Sequence, residues 1–194
     1  MRPPVVQTTH NPEVLMAADV SARLAWPDDA LSISSLQVQQ WQESFADQLG
    51  PEVLESLDPN EMAERWANVI TRPSDARMRT LVALTGPRID GFALVHPSHD
   101  PDTDQVRDGE IGEFVISRAR RAVGHGSRLL QACADTMRAD GFRRAVWWVT
   151  STDDATRGFA ESAGWAADGA HRELEGQQDS GERLKQIRLH TTLM

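Results

Sequence analysis

Residues 110–130 read EIGEFVISRARRAVGHGSRLL, and this stretch decides the fold. Its first seven residues predict a strand, and the residues from 124 onward predict a helix that lasts to about Asp140. The glycines at 124 and 126 let the backbone approach a ligand closely. The helix directs free N–H groups and the positive end of its dipole at that ligand. The loop contains no acid and is surrounded by Arg118, Arg120, Arg121 and Arg128. The stretch therefore predicts a cradle for a pyrophosphate.

The bulk composition is that of an ordinary globular chain with an excess of acids. The 194 residues fit one domain over 1–194, and the formal net charge is −9. Nucleic-acid binding usually needs a basic face, so we expect no nucleic-acid partner. The acidity either suits a cationic substrate such as an amine or serves only solubility.

The cellular setting follows from cysteine use and hydropathy. Cys133 is the one cysteine, which excludes an internal disulfide and favours a cytoplasmic protein. The sequence has no apolar run of membrane-spanning length and no basic-then-apolar signal at its start. We therefore expect no membrane partner.

Periodicity and turn signals predict one mixed sheet covered by helices. The predicted strands are 5–10, 78–85, 92–96, 110–116, 143–150, 165–174 and 184–193. The predicted helices are 11–24, 36–49, 59–70, 124–140 and 153–163. Residues 26–29 are interpreted as a break between the first two helices, and 98–109 and 175–183 as polar, exposed loops.

The second half of the chain carries a resemblance to a known family. Residues 121–126 have the spacing Arg-x-x-Gly-x-Gly, directly after the strand EIGEFVI, and a later segment, 148–169, contains Ala-Gly-Trp at 163–165. From Glu110 to Leu193 the chain thus resembles the GCN5-related N-acetyltransferase (GNAT) superfamily. The resemblance implies a GNAT fold of the α/β class. This fold has a single mixed, mostly antiparallel sheet, splayed between strands 4 and 5, with helices on both faces.

The resemblance also implies that acetyl-CoA is the co-substrate. Its pantetheine arm would lie between strands 110–116 and 143–150, and its pyrophosphate on the amides of 122–127. The implied cofactor-binding residues are Phe114, Ile116, Arg121, Ala122, Val123, Gly124, His125, Gly126, Ser127, Asp153 and Arg157. Asp153 replaces the family's asparagine, so it can cap a helix but does not favour an anion. We expect the ring of His125 to be exposed.

Two other phosphate-binding motifs fit less well. A dinucleotide-binding turn needs a third glycine, and position 129 is leucine. A nucleotide-triphosphate loop needs Gly-Lys-Ser/Thr, which does not follow Gly126. A solvated arginine cluster with no ligand stays open.

Glu113 is the candidate general base, acting directly or through water. It lies in a strand position where family members often carry a carboxylate, and its alternation partners Ile111 and Val115 are apolar. The alternative is an acid that simply faces solvent. The family's usual general acid, a tyrosine, corresponds to Ala160, and the chain contains no tyrosine. Ser162, another hydroxyl or water could protonate the thiolate, the thiolate could leave unaided, or the protein could bind acyl-CoA with little turnover.

The acceptor-binding candidates are Trp26, Asp29 and Trp148. In the family, the loop that contains the first two overhangs the acceptor, where an aromatic ring and an acid suit a cation. Trp147 and Trp148 point to opposite faces of a strand, so we expect one in the core and the other in the acceptor cleft. His96 and His99 are assigned to an exposed loop, and no metal site is predicted.

These features predict an acetyl-CoA-dependent N-acetyltransferase that acts on a primary amine of a small molecule or a peptide by direct transfer. The alternative is a non-catalytic or weakly catalytic acyl-CoA-binding or interaction module on the same fold. An acyl group larger than acetyl stays open. The resemblance also makes a homodimer an expectation.

Overall fold

The computed structural model describes residues 20–44, 52–175 and 183–194. The strand predicted at 5–10, the helix predicted from 11 as far as residue 19, residues 45–49 and the interior of the loop at 175–183 lie outside these ranges. The strands are Val20–Leu24 (β1), Arg79–Thr85 (β2), Arg88–Pro97 (β3), Asp108–Ile116 (β4), Arg144–Thr150 (β5), Ala166–Glu175 (β6) and Arg183–Thr192 (β7). The main helices are Ala30–Ser44 (α1), Pro59–Thr71 (α2), His125–Ala139 (α3) and Asp154–Ser162 (α4).

The strands form one sheet in the order β1-β2-β3-β4-β5-β7-β6. Strands β4 and β5 are parallel, whereas the other neighbours are antiparallel. Pairing between β4 and β5 covers only Asp108–Ile111 and Arg144–Trp147. Beyond these residues the two strands separate, which confirms the predicted splay and leaves a gap at their carboxyl ends.

Helices cover both faces of the sheet, as expected. Helix α3 packs on β1 to β4, and α1 and α2 pack together against the opposite face. The α3-side core contains Ile111, Leu129, Met137, Trp147 and Leu189, and the α1-side core contains Ile33, Trp66, Val82, Phe92 and Val115. None of the described helices is long and apolar enough to cross a membrane.

The prediction around residues 20–29 was wrong. Val20–Leu24 is an edge strand that pairs with β2 through Leu24 and Leu81, and is not the end of a helix. The Pro27–Asp29 segment leads directly into α1 at Ala30, so it is the start of a helix and not a break between two helices. Pro27 occupies the first position of a 3-10 turn, and the Asp29 carboxylate accepts a hydrogen bond from the Trp26 amide at 2.7 Å.

The acid-rich segment between β3 and β4 is a largely exposed loop, as predicted, but it is also anchored to the sheet. Arg188 on β7, only 4% exposed, donates hydrogen bonds to Asp100, Asp102 and Asp168. Ser98 is fully buried. A buried guanidinium needs such carboxylate partners, so the acids of this segment fasten it across the sheet.

Candidate active site

The loop before α3 has the backbone of an anion cradle. Ala122 and Gly124 both have positive φ, at 61° and 95°, and Gly124 is the N-cap of α3. The first hydrogen bond of the helix runs from the Arg128 amide to the Gly124 carbonyl at 3.1 Å. The amides of residues 125–127 therefore have no partner within the helix and can bind an anion.

Space and positive charge lie beside this loop. A cavity of about 570 Å³ is lined by Gly124, Ser127 and Arg128 together with residues of β1. Residues 121–124 are exposed. Arg121 donates a hydrogen bond to Gln40 at 3.3 Å, which holds its guanidinium at the surface of α1.

His125 differs from the prediction, because its ring is 1% exposed and not solvent-facing. The Thr85 hydroxyl donates to Asp90 at 2.6 Å, so His125 Nε2, 3.1 Å from that hydroxyl oxygen, acts as the donor to it. Burial lowers the pKa of His125 and keeps the ring neutral, opposing the effect of the Asp90 carboxylate. The Asp90 carbonyl also accepts from the Ser117 amide at 2.8 Å. The β2–β3 hairpin thus holds the cradle loop near both of its ends.

The gap between β4 and β5 adjoins this loop. Phe114 and Ile116 lie on the part of β4 that does not pair with β5, and Phe114 packs on Trp147 with ring centroids 4.9 Å apart. Asp153 caps α4 by accepting from the Thr156 amide at 3.0 Å. Arg157 contacts Asp154, and its buried Nε has no partner among the described residues. A buried donor without a partner is what an anionic ligand would satisfy.

Glu113 faces the α1 side of the sheet, opposite to α3, because β4 contains a bulge. In the β3–β4 ladder, Leu94 pairs with Glu113 but the next residue, Val95, pairs with Ile111. Gly112 is therefore an extra residue of β4 that has no partner in this register. Ile111 consequently belongs to the α3-side core and Val115 to the α1-side core. The prediction that both flank Glu113 on one face was wrong, although Glu113 does face an apolar environment.

The carboxyl of Glu113 lines a cavity of about 430 Å³ between α1, α2 and β4. Burial raises its pKa from the ordinary 4.5 to about 7, and a hydrogen bond from Gln37 opposes the rise. A carboxyl with this pKa is divided between acid and base at neutral pH. It is therefore suited to proton transfer.

Gln37 and Trp66 orient this carboxyl. Neither residue was predicted to belong to the site from the sequence. The Trp66 indole Nε1 donates to Gln37 Oε1 at 2.8 Å, and Gln37 Nε2 donates to Glu113 Oε1 at 3.4 Å. Indole N–H is only a donor, so it fixes which end of the Gln37 amide faces Glu113. Trp66 and Gln37 lie 29 residues apart, and no sequence signal indicates that they are partners.

The predicted acceptor residues lie away from the Glu113 cavity. Trp26 is 61% exposed and stacks under the guanidinium of Arg23, which also pairs with Asp29 at 2.6 Å. Trp147 is in the core, as one of the two tryptophans was expected to be. Trp148 lies on the other face, donates to Asp100 at 2.8 Å and carries the Arg172 guanidinium over its ring.

Ala160, at the position of the family's tyrosine, is buried, whereas the candidate proton donor Ser162 is exposed. Ala160 is fully buried in the α3-side core. The Ser162 hydroxyl is exposed and donates to the Phe159 carbonyl at 2.7 Å, within its own helix. Ser162 as a proton donor stays a prediction, and this geometry does not favour it.

An anion cradle before a helix, a splayed pair of parallel strands and a buried carboxylate beyond the gap define the site of an acyl-CoA-dependent acyltransferase. The family model described as "Acetyltransferase (GNAT) family" matches residues 35–165. The chain therefore belongs to the GNAT acetyltransferase family, whose co-substrate is acetyl-CoA, and the resemblance inferred from the sequence is confirmed.

Solved structures share this fold at low sequence identity. Ribosomal-protein-alanine N-acetyltransferase from Brucella melitensis has a TM-score of 0.69 at 17% identity, covering 89% of this chain and 99% of its own. YncA from Salmonella typhimurium, solved with its cofactor acetyl-CoA, has a TM-score of 0.66 at 18% identity, with coverage of 91% and 95%. PaiA N-acetyltransferase from Thermoplasma acidophilum, in complex with coenzyme A, has a TM-score of 0.67 at 15% identity, with coverage of 89% and 98%. No curated protein matches the sequence significantly.

Proposed function

We propose that this acetyltransferase moves the acetyl group of acetyl-CoA to the primary amine of a small molecule with an apolar body, by direct transfer. The observation that carries the proposal is the Glu113 carboxyl, whose pKa near 7 fits a base, in a cavity with apolar walls. The cavity lies on the α1 side of the sheet, and the anion cradle lies at the amino end of α3.

The donor half of the site fits acetyl-CoA. Free amides at residues 125–127 would hold the pyrophosphate, and the buried Nε of Arg157 offers a further donor. The β4 edge beyond Ile111 has no partner in β5, so its backbone groups can bond the pantetheine arm and polarise the acetyl carbonyl. When bound there, acetyl-CoA supplies a thioester that an amine can attack.

The acceptor half combines an apolar wall with the Glu113 carboxyl and a rim of charged side chains. Its walls are formed by Trp41, Met62, Trp66, Val69 and Leu94. An ammonium group loses a proton to the Glu113 carboxylate, and the neutral amine then attacks the acetyl carbon. A concave site of about 430 Å³ fits a small molecule. A flat, polar surface would instead suit a folded protein.

The charges at the cavity lining refine the choice of amine. Asp58 and Glu61 contribute carboxylates and Arg65 a guanidinium, and all three residues are exposed. The resulting small negative balance attracts a cationic amine, whereas the walls favour an aromatic or aliphatic body. We therefore rank arylalkylamines above polyamines and above peptide N-termini.

The test is an acetylation assay with tryptamine, phenylethylamine, spermidine and an alanine-ended peptide, preceded by calorimetric titration of acetyl-CoA. We expect stoichiometric acetyl-CoA binding and the highest kcat/KM for the arylalkylamines. Trp41→Ala should raise KM for tryptamine, while Trp26→Ala, which removes an exposed tryptophan outside the cavity, should not. A preference for spermidine or the peptide would contradict the assignment of acceptor class.

A second candidate function is an acyl-CoA-binding module with little turnover, favoured by alanine at position 160 in a chain without tyrosine. Acetyl-CoA binding without transfer to any amine in the panel would support it. The single domain over residues 1–194, the cytoplasmic location and the homodimer stay predictions.

A further inference from the structure

We propose that His96 is a second proton-transfer residue of this site, which carries a proton from the acceptor nitrogen to the departing sulfur. The inference rests on the proposed function, since it assumes transfer to an amine. It assigns the proton donor for the departing thiolate, which the sequence does not identify because position 160 is alanine and not tyrosine.

The tautomer of His96 is fixed by its backbone surroundings. His96 Nδ1 lies 2.8 Å from the Pro97 carbonyl oxygen, which can only accept, so Nδ1 carries the hydrogen. In the neutral ring, Nε2 then bears a free lone pair. Among the described residues, no hydrogen bond to Nε2 is found.

The same Nε2 covers the vertex of the gap between β4 and β5. A Cβ atom on Gly112 would lie 2.5 Å from it, so the ring lies directly over this glycine. Ile111 is the last residue of β4 that pairs with β5, which makes Gly112 the first residue of the gap. Gly112 is exposed, so the vertex is accessible.

His96 and Glu113 share one face of the sheet. Glu113 pairs in register with Leu94, two residues before His96 on β3, and both Glu113 and Leu94 line the same cavity. Diagonal neighbours in a regular pair of strands lie about 7–8 Å apart, and the bulge at Gly112 lies between these two residues. The other ionisable neighbours of His96 are His99, stacked at 5.6 Å, and Glu110, its register partner, which already accepts from the Ser98 hydroxyl.

The reaction requires two proton transfers, and we assign the first to Glu113 and the second to His96. An ammonium group must lose one proton before it attacks, and Glu113 takes that proton. As the N–C bond forms and the C–S bond breaks, nitrogen must lose a second proton and sulfur must gain one. Nε2 accepts the proton from nitrogen and then, as imidazolium, donates it to the thiolate. The ring ends neutral, and no further reactant is needed.

The experiment compares His96→Gln, His96→Ala and His99→Gln in the arylalkylamine assay. We expect His96→Gln to lower kcat by roughly 10²-fold, the low end for loss of a general acid or base. KM for acetyl-CoA should change little. His99→Gln removes the stacked, exposed neighbour and should keep wild-type kcat. Added imidazole should restore part of the activity of His96→Ala.

Three results would overturn the proposal. Wild-type kcat in His96→Gln would exclude any role in proton transfer. A low kcat in both His96 variants, with no rescue by imidazole, would indicate a structural role, and calorimetric acetyl-CoA binding would show whether the variants are folded. Absence of transfer by the wild-type protein to any amine would refute the proposed function itself, and the role of His96 with it.

Discussion

Replacement of Gln37 by leucine should shift the pH dependence of acetyl transfer to higher pH. Gln37 donates to Glu113 at 3.4 Å and thereby favours the carboxylate over the carboxylic acid. Burial acts in the opposite direction and holds the pKa of Glu113 at about 7. Leucine keeps the volume but removes the donor, so burial acts unopposed and the pKa must rise.

The size of the shift follows from the hydrogen bond. Bonds to charged groups contribute about 1.5–3 kcal/mol, and a bond as long as 3.4 Å belongs at or below the low end. About 1.4 kcal/mol corresponds to one pKa unit, which places Glu113 of the variant near pKa 8. At pH 7 the ionised fraction then falls from about one half to about one tenth, so kcat/KM falls about fivefold. Near pH 9 the two proteins should be nearly equal.

The assay is the pH profile of kcat/KM for tryptamine, with two controls. Gln39→Leu removes an exposed glutamine of the same helix, which bonds Glu43, and should leave the profile unchanged. Trp66→Phe frees the Gln37 amide to rotate and should shift the profile in the same direction by a smaller amount. Equal losses at pH 7 and pH 9 in Gln37→Leu would refute the reasoning, because they would show disturbed packing and not an altered pKa.

Four further variants test the folded state and the cradle. The pKa of Glu113 is about 7 in the folded chain, above its ordinary 4.5, so ionisation of this carboxyl destabilises the fold as pH rises toward 7. Denaturation at pH 8 should therefore show Glu113→Gln to be more stable than wild type by up to roughly 3 kcal/mol. This difference in unfolding free energy should shrink toward pH 5. Gly124→Ala and Gly141→Ala force similar positive φ angles on alanine, 95° and 90°, and should each cost about 1 kcal/mol, but calorimetry should show weaker acetyl-CoA binding only for Gly124→Ala. Arg188→Met leaves the carboxylates of Asp100 and Asp168 without their shared partner, and urea unfolding should show a loss of about 3 kcal/mol; an unchanged midpoint would contradict the assigned role.

Local signals predicted the second half of the fold closely. Helix α3 was predicted over 124–140 and spans His125–Ala139, because its apolar spacing and its flanking glycines are encoded side by side. Strand β5 and helix α4 also lie within one residue of their predicted bounds. In each case one short segment contains both the periodic pattern and its stop signals, so no distant contact is needed to recognise it.

Features that depend on distant partners could not be predicted. Val20–Leu24 is a strand because β2, about 60 residues further along the chain, lies beside it. Strict alternation placed Ile111 on the face of Glu113, whereas the extra residue Gly112 places it on the other. A bulge is set by the register of two strands, which a single strand does not reveal.

The position of Ala160 bears on where protons enter the reaction. Its methyl group is fully buried in the α3-side core, so α4 offers no proton donor at this position. Three polar groups of the site, Gln37, Glu113 and His96, instead share the α1 side of the sheet with the Glu113 cavity. Loss of the tyrosine therefore favours a proton path that runs from nitrogen to sulfur over Gly112, where the absence of a side chain leaves room for the His96 ring.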